Sequence, residues 1–297
     1  MYKNILIVAI ATLLFSSKLC AQDMGAGFVL PTIPEHLTQP EQRADYLALH
    51  YWDNLDMANY EVVESVSTQM AFADFITLLP LTQKRGEAFA QLWRVSYPHI
   101  NTFYHMLELA ELYLYDVSSQ LRNEEFYIEA LEEIAKQSYV SNIDKLAATS
   151  QLELLTKNRV GTKATDFTFV DKQGIEHHLS EYHADYLLLL FASADCDECK
   201  RMKNTIDANT RLWIMLRRGT LAIVAITITD NETDWQAVTT PERWIDGWDK
   251  SQMIESGQIY DLTTKPRLYL LDKEHNILLK NTTPAEVDAY ISNNNYL

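Results

Sequence analysis

The chain has 297 residues, 47% hydrophobic and 22% charged, a composition that excludes a disordered, collagen-like or multi-span membrane protein, and at about 150 residues per domain its length predicts two domains. Its 25 Lys and Arg stand against 41 Asp and Glu, a net charge of −16 that repels a phosphate backbone and argues against nucleic acid as a partner. Three cysteines are too few for a disulfide scaffold.

In chain order, Met1 to Ala21 carries the cation Lys3, an apolar run from Ile5 to Phe15, the polar stretch Ser16-Ser17-Lys18 and then Leu19-Cys20-Ala21. A charged start, an apolar core and a small residue at the exit form the pattern of a secretory signal peptide, too short for a bilayer, which needs about 20 apolar residues. Cleavage after Ala21 is expected. It discards Cys20, leaves a mature net charge of −18 and sends the protein to the periplasm. The rival reading is a lipoprotein signal that retains a lipidated Cys20, against which stand Lys18 and Leu19 where small residues belong. A cleaved signal leaves Cys196 and Cys199 as the remaining thiols, in a compartment where disulfides persist.

Residues 32–158 form the first expected domain. From Pro40 to about Asn158 apolar residues recur at helical spacing, with Ala44, Leu47, Tyr51 and Leu55 on one helix and Val62, Val66, Met70 and Phe75 on another. Pro98 breaks the pattern. Beyond it Ile100, Tyr104, Leu107 and Leu114 line a third face, Phe126, Ala130 and Ile134 a fourth, and Ile143, Leu146, Ala147, Ser150 and Leu154 a fifth, which Ser141 and Asp144 open as a cap. Five or six helices in one bundle are predicted. Residues 22–157 carry 8 basic and 20 acidic side chains, against 15 and 21 in residues 158–297. We read this charge as a solvated face, and the aromatic wealth, including His50-Tyr51-Trp52, as helix core.

Near Arg159 the periodicity changes. Phe167 to Val170 and Ile175 to Leu179 read as two strands around the turn Asp171-Lys172-Gln173-Gly174. Tyr186 to Phe191 is an uninterrupted apolar run, which suits a strand buried on both faces. A helix is predicted from about Cys196 to Arg217, ended by Gly219, then a buried strand over Leu221 to Thr229. The stretch Trp235 to Trp248 reads as loop and a short helix. Arg267 to Asp272 and Asn276 to Lys280 form a hairpin, and Ala285 to Ile291 a closing helix. The order β-β-β-α-β-α-β-β-α predicts an α/β fold, a mixed sheet with helices on both faces.

Cys196-Asp197-Glu198-Cys199 falls where the central strand hands over to a helix. Thiols three residues apart at a helix N-terminus lie close enough to bridge, and the unsatisfied N–H groups and dipole of the first turn favour a thiolate on the first of them. That thiolate is the nucleophile of disulfide exchange; Cys199, one turn in, is the expected resolving thiol. Zinc uses the same spacing but needs two further ligands. No second C-x-x-C or H-x-x-x-H exists, and His177 and His178 are adjacent on a strand and point to opposite faces. A purely structural disulfide is the remaining alternative.

Residues 159–297 resemble the thioredoxin-like superfamily, in particular the exported TlpA-like and ResA-like thiol-disulfide oxidoreductases. The resemblance rests on Gly161-x-x-Ala164-x-Asp166-Phe167, the hairpin Asp171 to Gly174, the strand into Cys196-x-x-Cys199-Lys200, and Tyr260-Asp261-Leu262 followed by Pro266 and Tyr269 to Asp272. The helical half resembles, more weakly, an uncharacterised helical domain that precedes such domains in some exported bacterial proteins. The resemblance implies catalysis by Cys196 and Cys199 without metal or organic cofactor. It also implies that Pro266 is the family's cis-proline, so that the Lys265 backbone pairs with an extended substrate chain; the bland reading is a proline opening an edge strand. The expected partners are a disulfide-containing protein substrate and a membrane-borne electron donor, with the helical domain as a docking module or a homodimer surface.

The chain departs from the family in three places. The strand Tyr186 to Ala192 lacks the buried acid that many relatives use to move the second thiol's proton, Asp195 stands where thioredoxins often have tryptophan, and Asp197 and Glu198 add negative charge between the thiols. These carboxylates oppose thiolate formation, offset only in part by Lys200, Arg201 and Lys203, and predict a reductase-like or isomerase-like poise. Peroxidase relatives carry P-x-x-x-T/S-x-x-C; Ser193 fits but Leu189 replaces the proline. The rival from another class is a non-enzymatic binding protein in which the helical domain binds a partner and the disulfide is structural.

Overall fold

A computed structural model describes residues 28–294; the expected signal peptide and Cys20 lie outside the described residues. The chain divides into two compact units between Leu152 and Glu153.

The first unit is all helical: α1 (Pro40–His50), the single turn α2 (Tyr60–Val63), α3 (Val66–Leu78), α4 (Arg85–Ser96), α5 (Ile100–Leu114), α6 (Glu124–Lys136) and α7 (Asn142–Leu155), which runs across the division. Its core is aromatic, with Trp52, Phe72, Phe75, Phe89, Trp93, Phe103 and Tyr127 almost wholly buried. Their rings meet edge-on as well as stacked: Phe75 and Phe89 stand 5.8 Å apart at 89°, Trp93 and Phe103 5.7 Å apart at 78°, the offset geometries that the ring quadrupole favours. Tyr51 and Trp52 belong to this network and are core as expected, whereas the His50 side chain is exposed and so are Tyr60, Tyr104 and Tyr139.

Several expected faces are corrected. The stretch Val62 to Phe75 is two helices, because Asn59 and Ser65 each accept an N–H from three residues on and start a helix of their own. The buried side of α3 is then Ala71, Phe72, Phe75 and Ile76, while Val66 and Met70 are exposed. On α5 the buried residues are Phe103, Met106, Leu109, Ala110 and Leu114, and Ile100 and Tyr104 face outward. On α7, which Ser141 caps through the Asp144 N–H at 3.2 Å, Ile143 is 81% and Leu146 71% exposed while Ala148 and Leu155 are buried. Helix α1 ends at His50, short of Tyr51 and Leu55, although both are buried. Helix α4, which periodicity did not separate, buries Ala88, Phe89, Leu92 and Trp93.

The second unit is a seven-stranded mixed sheet. Its strands are β1 (Thr168–Val170), β2 (Glu176–His178), β3 (Tyr186–Ser193), β4 (Leu221–Ile228), β5 (Ile245–Trp248), β6 (Arg267–Asp272) and β7 (Ile277–Leu279), in the order β2-β1-β5-β4-β3-β6-β7. β3 runs parallel to β4 and antiparallel to β6. Its alternation splits the core: Leu187, Leu189 and Phe191 pack with Phe167, Phe169 and Tyr260 on one face. Leu188, Leu190 and Ala192 pack on the other with residues of three helices, α8 (Asp197–Asp207), α9 (Thr210–Arg218) and α12 (Pro284–Asn294). A strand covered on both faces reads as a continuous apolar run, which is why β3 was legible.

The long helix expected from Cys196 to Arg217 is α8 and α9, because the Asn209 side chain accepts the Leu212 N–H at 3.0 Å and restarts the helix. Gly219 ends α9 at φ 75° as predicted. The Trp-rich stretch holds α10 (Glu232–Ala237) and the strand β5 that the sequence reading missed; a further turn, α11 (Met253–Ser256), follows. In β5 Gly247 is required by space: a Cβ there would lie 2.4 Å from Phe169 and 2.6 Å from Ile226.

Candidate redox site

The carboxyl end of β3 releases the chain through Ala194 and Asp195 into α8, and Cys196 is the residue that caps that helix, with extended backbone. Its Sγ accepts the Cys199 N–H at 3.0 Å, so a sulfur occupies the place of a capping oxygen, among the orphan amides that favour negative charge. Cys196 is half-buried and Cys199 is 1% exposed. The two are joined as a disulfide, with Cα atoms 5.1 Å apart.

The β3–β6 register pairs Phe191 with Arg267. Pro266 and Lys265, just before β6, therefore arrive beside the end of β3 from which the cysteines depart. The Lys265–Pro266 peptide is cis, as the resemblance implies, and the Lys265 carbonyl oxygen stands 3.7 Å from Cys196 Sγ. All four residues singled out in the sequence thus meet at one end of the sheet. Among the described residues neither the amide nor the carbonyl of Lys265 joins a backbone hydrogen bond, while its ammonium is held by Glu255 and the Leu262 carbonyl.

The charges around the cysteines differ from one another more than their sequence neighbourhood suggests. Asp197 and Glu198 are well exposed, and each pairs with a cation one turn on, Lys200 and Arg201 respectively. Exposed pairs of this kind are screened and worth little. Lys203, which the sequence reading grouped with these surface cations, is 8% exposed, and burial holds its ammonium below the usual lysine range, with Asp246 opposing and Lys172 reinforcing the effect. It borders a cavity of about 660 Å³ together with Cys199, Asp195, Lys200, Asp207 and Asp234. The spacing of four from Cys199 was the available signal, since such positions share a helix face.

A second group missed from sequence underlies Pro266. Arg267 and Asp261 form an ion pair at 3.3 Å, with side chains 1% and 0% exposed; Thr263 donates its hydroxyl and its amide to the same carboxylate. The buried stretch of β3, Leu187 to Ala192, is apolar throughout.

Residues 12–158 match the family model described as a domain of unknown function, DUF5106. No curated protein matches the chain. Among solved structures, a thioredoxin-like protein from Bacteroides caccae is 34% identical, covers 90% of this chain and 99% of its own, and superposes with a TM-score of 0.78. A conserved protein of unknown function from Bacteroides fragilis is 33% identical over 45% of this chain and 98% of its own, with a TM-score of 0.43. A domain of a possible thiol-disulfide isomerase from Cytophaga hutchinsonii is 21% identical over 46% of this chain and 94% of its own, with a TM-score of 0.40. With nearly full mutual coverage at 34% identity, and with a bridged C-x-x-C at the strand-to-helix junction of a mixed sheet, the chain belongs to the thioredoxin-like proteins, as a member whose helical half is a DUF5106 domain.

Proposed function

We propose that this protein is an exported, periplasmic thiol-disulfide oxidoreductase. In its dithiol form Cys196 attacks a disulfide of a protein substrate: one substrate sulfur leaves as thiolate and the other becomes bonded to Cys196. Cys199 then attacks Cys196, releases the second substrate sulfur and leaves the Cys196–Cys199 disulfide. Two electrons and two protons pass to the substrate, and a membrane-borne donor returns them. The Lys265 backbone and Pro266 hold the extended substrate chain against Cys196. The helical domain selects the substrate or pairs two copies. No metal or organic cofactor enters the cycle.

The observation that carries this reading is the half-buried Cys196 sulfur, bonded to a buried Cys199 and receiving its amide at the first turn of α8. A bridge that only stapled a loop would gain nothing from such a position, whereas a nucleophile gains a stabilised thiolate. The exposed Asp195 and the weakly paired Asp197 and Glu198 favour a reductase-like or isomerase-like poise. The test is insulin reduction by the mature chain with Cys196→Ser as control: turnover by the wild type, none by the variant. A disulfide that resists mild reductant and turns nothing over assigns the protein to the non-enzymatic binding class instead. A reduction potential near the roughly −120 mV of DsbA would overturn the poise.

A further inference from the structure

Lys200 and Arg201 spend their charge on Asp197 and Glu198 within the first turns of α8. Lys203 does not. It sits one turn beyond Cys199, and the two border the same cavity at 8% and 1% exposure. Among the described residues no hydrogen bond or ion pair engages its ammonium. Asp246 on β5 is the carboxylate whose charge reaches it, yet that carboxylate is paired with Lys172 of the β1–β2 turn at 3.3 Å and faces the Trp235 indole N–H at 3.4 Å. Its stem is buried while its Nζ keeps contact with the cavity, as a snorkelling lysine does. Lys200 and Asp207 of α8 border the same cavity, as does Cys199, whose thiol packs among Leu188, Leu190, Ala192 and Ile206. Such apolar surroundings hold a thiol protonated, and the buried part of β3 beneath it offers no carboxylate.

We propose that Lys203 is the positioning residue for the Cys199 proton: in the reduced protein its amine accepts that proton, giving an ammonium and a thiolate one helical turn apart when the mixed disulfide is resolved. The proposal rests on the exchange reading above and assigns its second step. The proton passes from Cys199 Sγ to Lys203 Nζ. The thiolate attacks Cys196 Sγ, the Cys196–Cys199 bond forms, and the bond from Cys196 to the substrate breaks. The electron pair leaves on the substrate sulfur, which takes a proton from water. The cysteines are oxidised and the substrate is reduced. Burial, by pulling Lys203 below the usual lysine range, brings the amine closer to the thiol it serves. The other charges facing this site are Asp195, Lys200, Asp207 and Asp234 around the cavity, with Asp246 and Lys172 beyond. They are common to wild type and variants.

The experiment mixes the reduced chain with an aromatic disulfide such as 5,5′-dithiobis(2-nitrobenzoate) and follows two phases, attack by Cys196 and then resolution by Cys199, as a function of pH. Lys203→Met is expected to leave the first phase within about twofold, to raise the pH midpoint of the second by about one unit, and to slow it about tenfold at neutral pH. Lys203→Arg, which keeps the charge but cannot accept a proton, is expected to lower the Cys199 midpoint in a Cys196→Ser background, read from thiolate absorbance, without restoring the rate of the second phase. Thermal unfolding of Lys203→Met controls for folding and is expected to match or exceed the wild type, because an apolar side chain of similar length replaces a desolvated charge. An unmoved second phase and Cys199 midpoint overturn the proposal, as does an equal slowing of both phases. A wild-type chain with no second phase refutes the exchange reading itself.

Discussion

The buried Arg267–Asp261 pair makes a quantitative test of how the Pro266 side of the site is held. Asp261→Ala leaves a guanidinium 1% exposed with the Thr263 hydroxyl at 3.2 Å, and takes the acceptor from the Thr263 amide and hydroxyl. At the 3.3 Å separation of the pair, an effective dielectric of 20 gives a Coulomb attraction of about 5 kcal/mol. Loss of one partner from a buried pair typically costs about 3–5 kcal/mol, since the desolvation of the survivor is no longer offset. At about 2–4 °C per kcal/mol for a domain of this size, the expected fall in Tm is about 6–20 °C. Thermal unfolding followed by tryptophan fluorescence measures it, because Trp235 and Trp248 are buried in the same unit. The double variant Asp261→Leu/Arg267→Met should recover most of the loss, since a buried pair replaced by apolar groups is often neutral. A single variant that loses less than about 1 kcal/mol, the range of exposed pairs, would refute the argument.

Gly247→Ala places a Cβ where Phe169 and Ile226 already stand within 2.6 Å; overpacking of this kind should cost about 1–3 kcal/mol, and an unchanged urea midpoint would mean that β5 is not seated against β1. His177 is hydrogen-bonded to Asp171 and Glu181, and the Asp171 bond, first of the causes, holds its imidazole above the usual value while burial opposes. Its contribution to stability is therefore complete below about pH 6.5, the unfolded histidine value, and disappears as pH rises through the higher folded value. Thermal midpoints of His177→Gln should fall below the wild type at pH 5.5 and converge with it in mild alkali, and a constant difference across that range would exclude the linkage.

Much of the second unit was legible in advance because its signals are local. A strand buried on both faces must be apolar at every position, so Leu187 to Phe191 announced both its secondary structure and its place at the centre of the sheet. Gly219 marked a helix end that needs positive φ, and the cysteines declared themselves by their position between strand and helix. In the first unit the helices were legible but their faces were not. Periodicity reports that a segment has one apolar side, whereas the depth to which each side chain sinks depends on which neighbours compete for the interior. Helix α3 buries Phe72 and exposes Val66, and α5 buries Phe103 and exposes Ile100.

By itself the sequence determined a helical half, a mixed sheet, and two thiols at the mouth of a helix, because backbone hydrogen bonding and side-chain alternation are set by residues a few positions apart. Only the tertiary structure decided that Lys265, 69 residues further along, stands against Cys196, that β5 exists between two tryptophans, and that Lys203 is a buried neighbour of Cys199 while Lys200 and Arg201 are not. Those outcomes follow from strand register and from the packing of a helix on a sheet, where free energy is settled by partners distant in the chain.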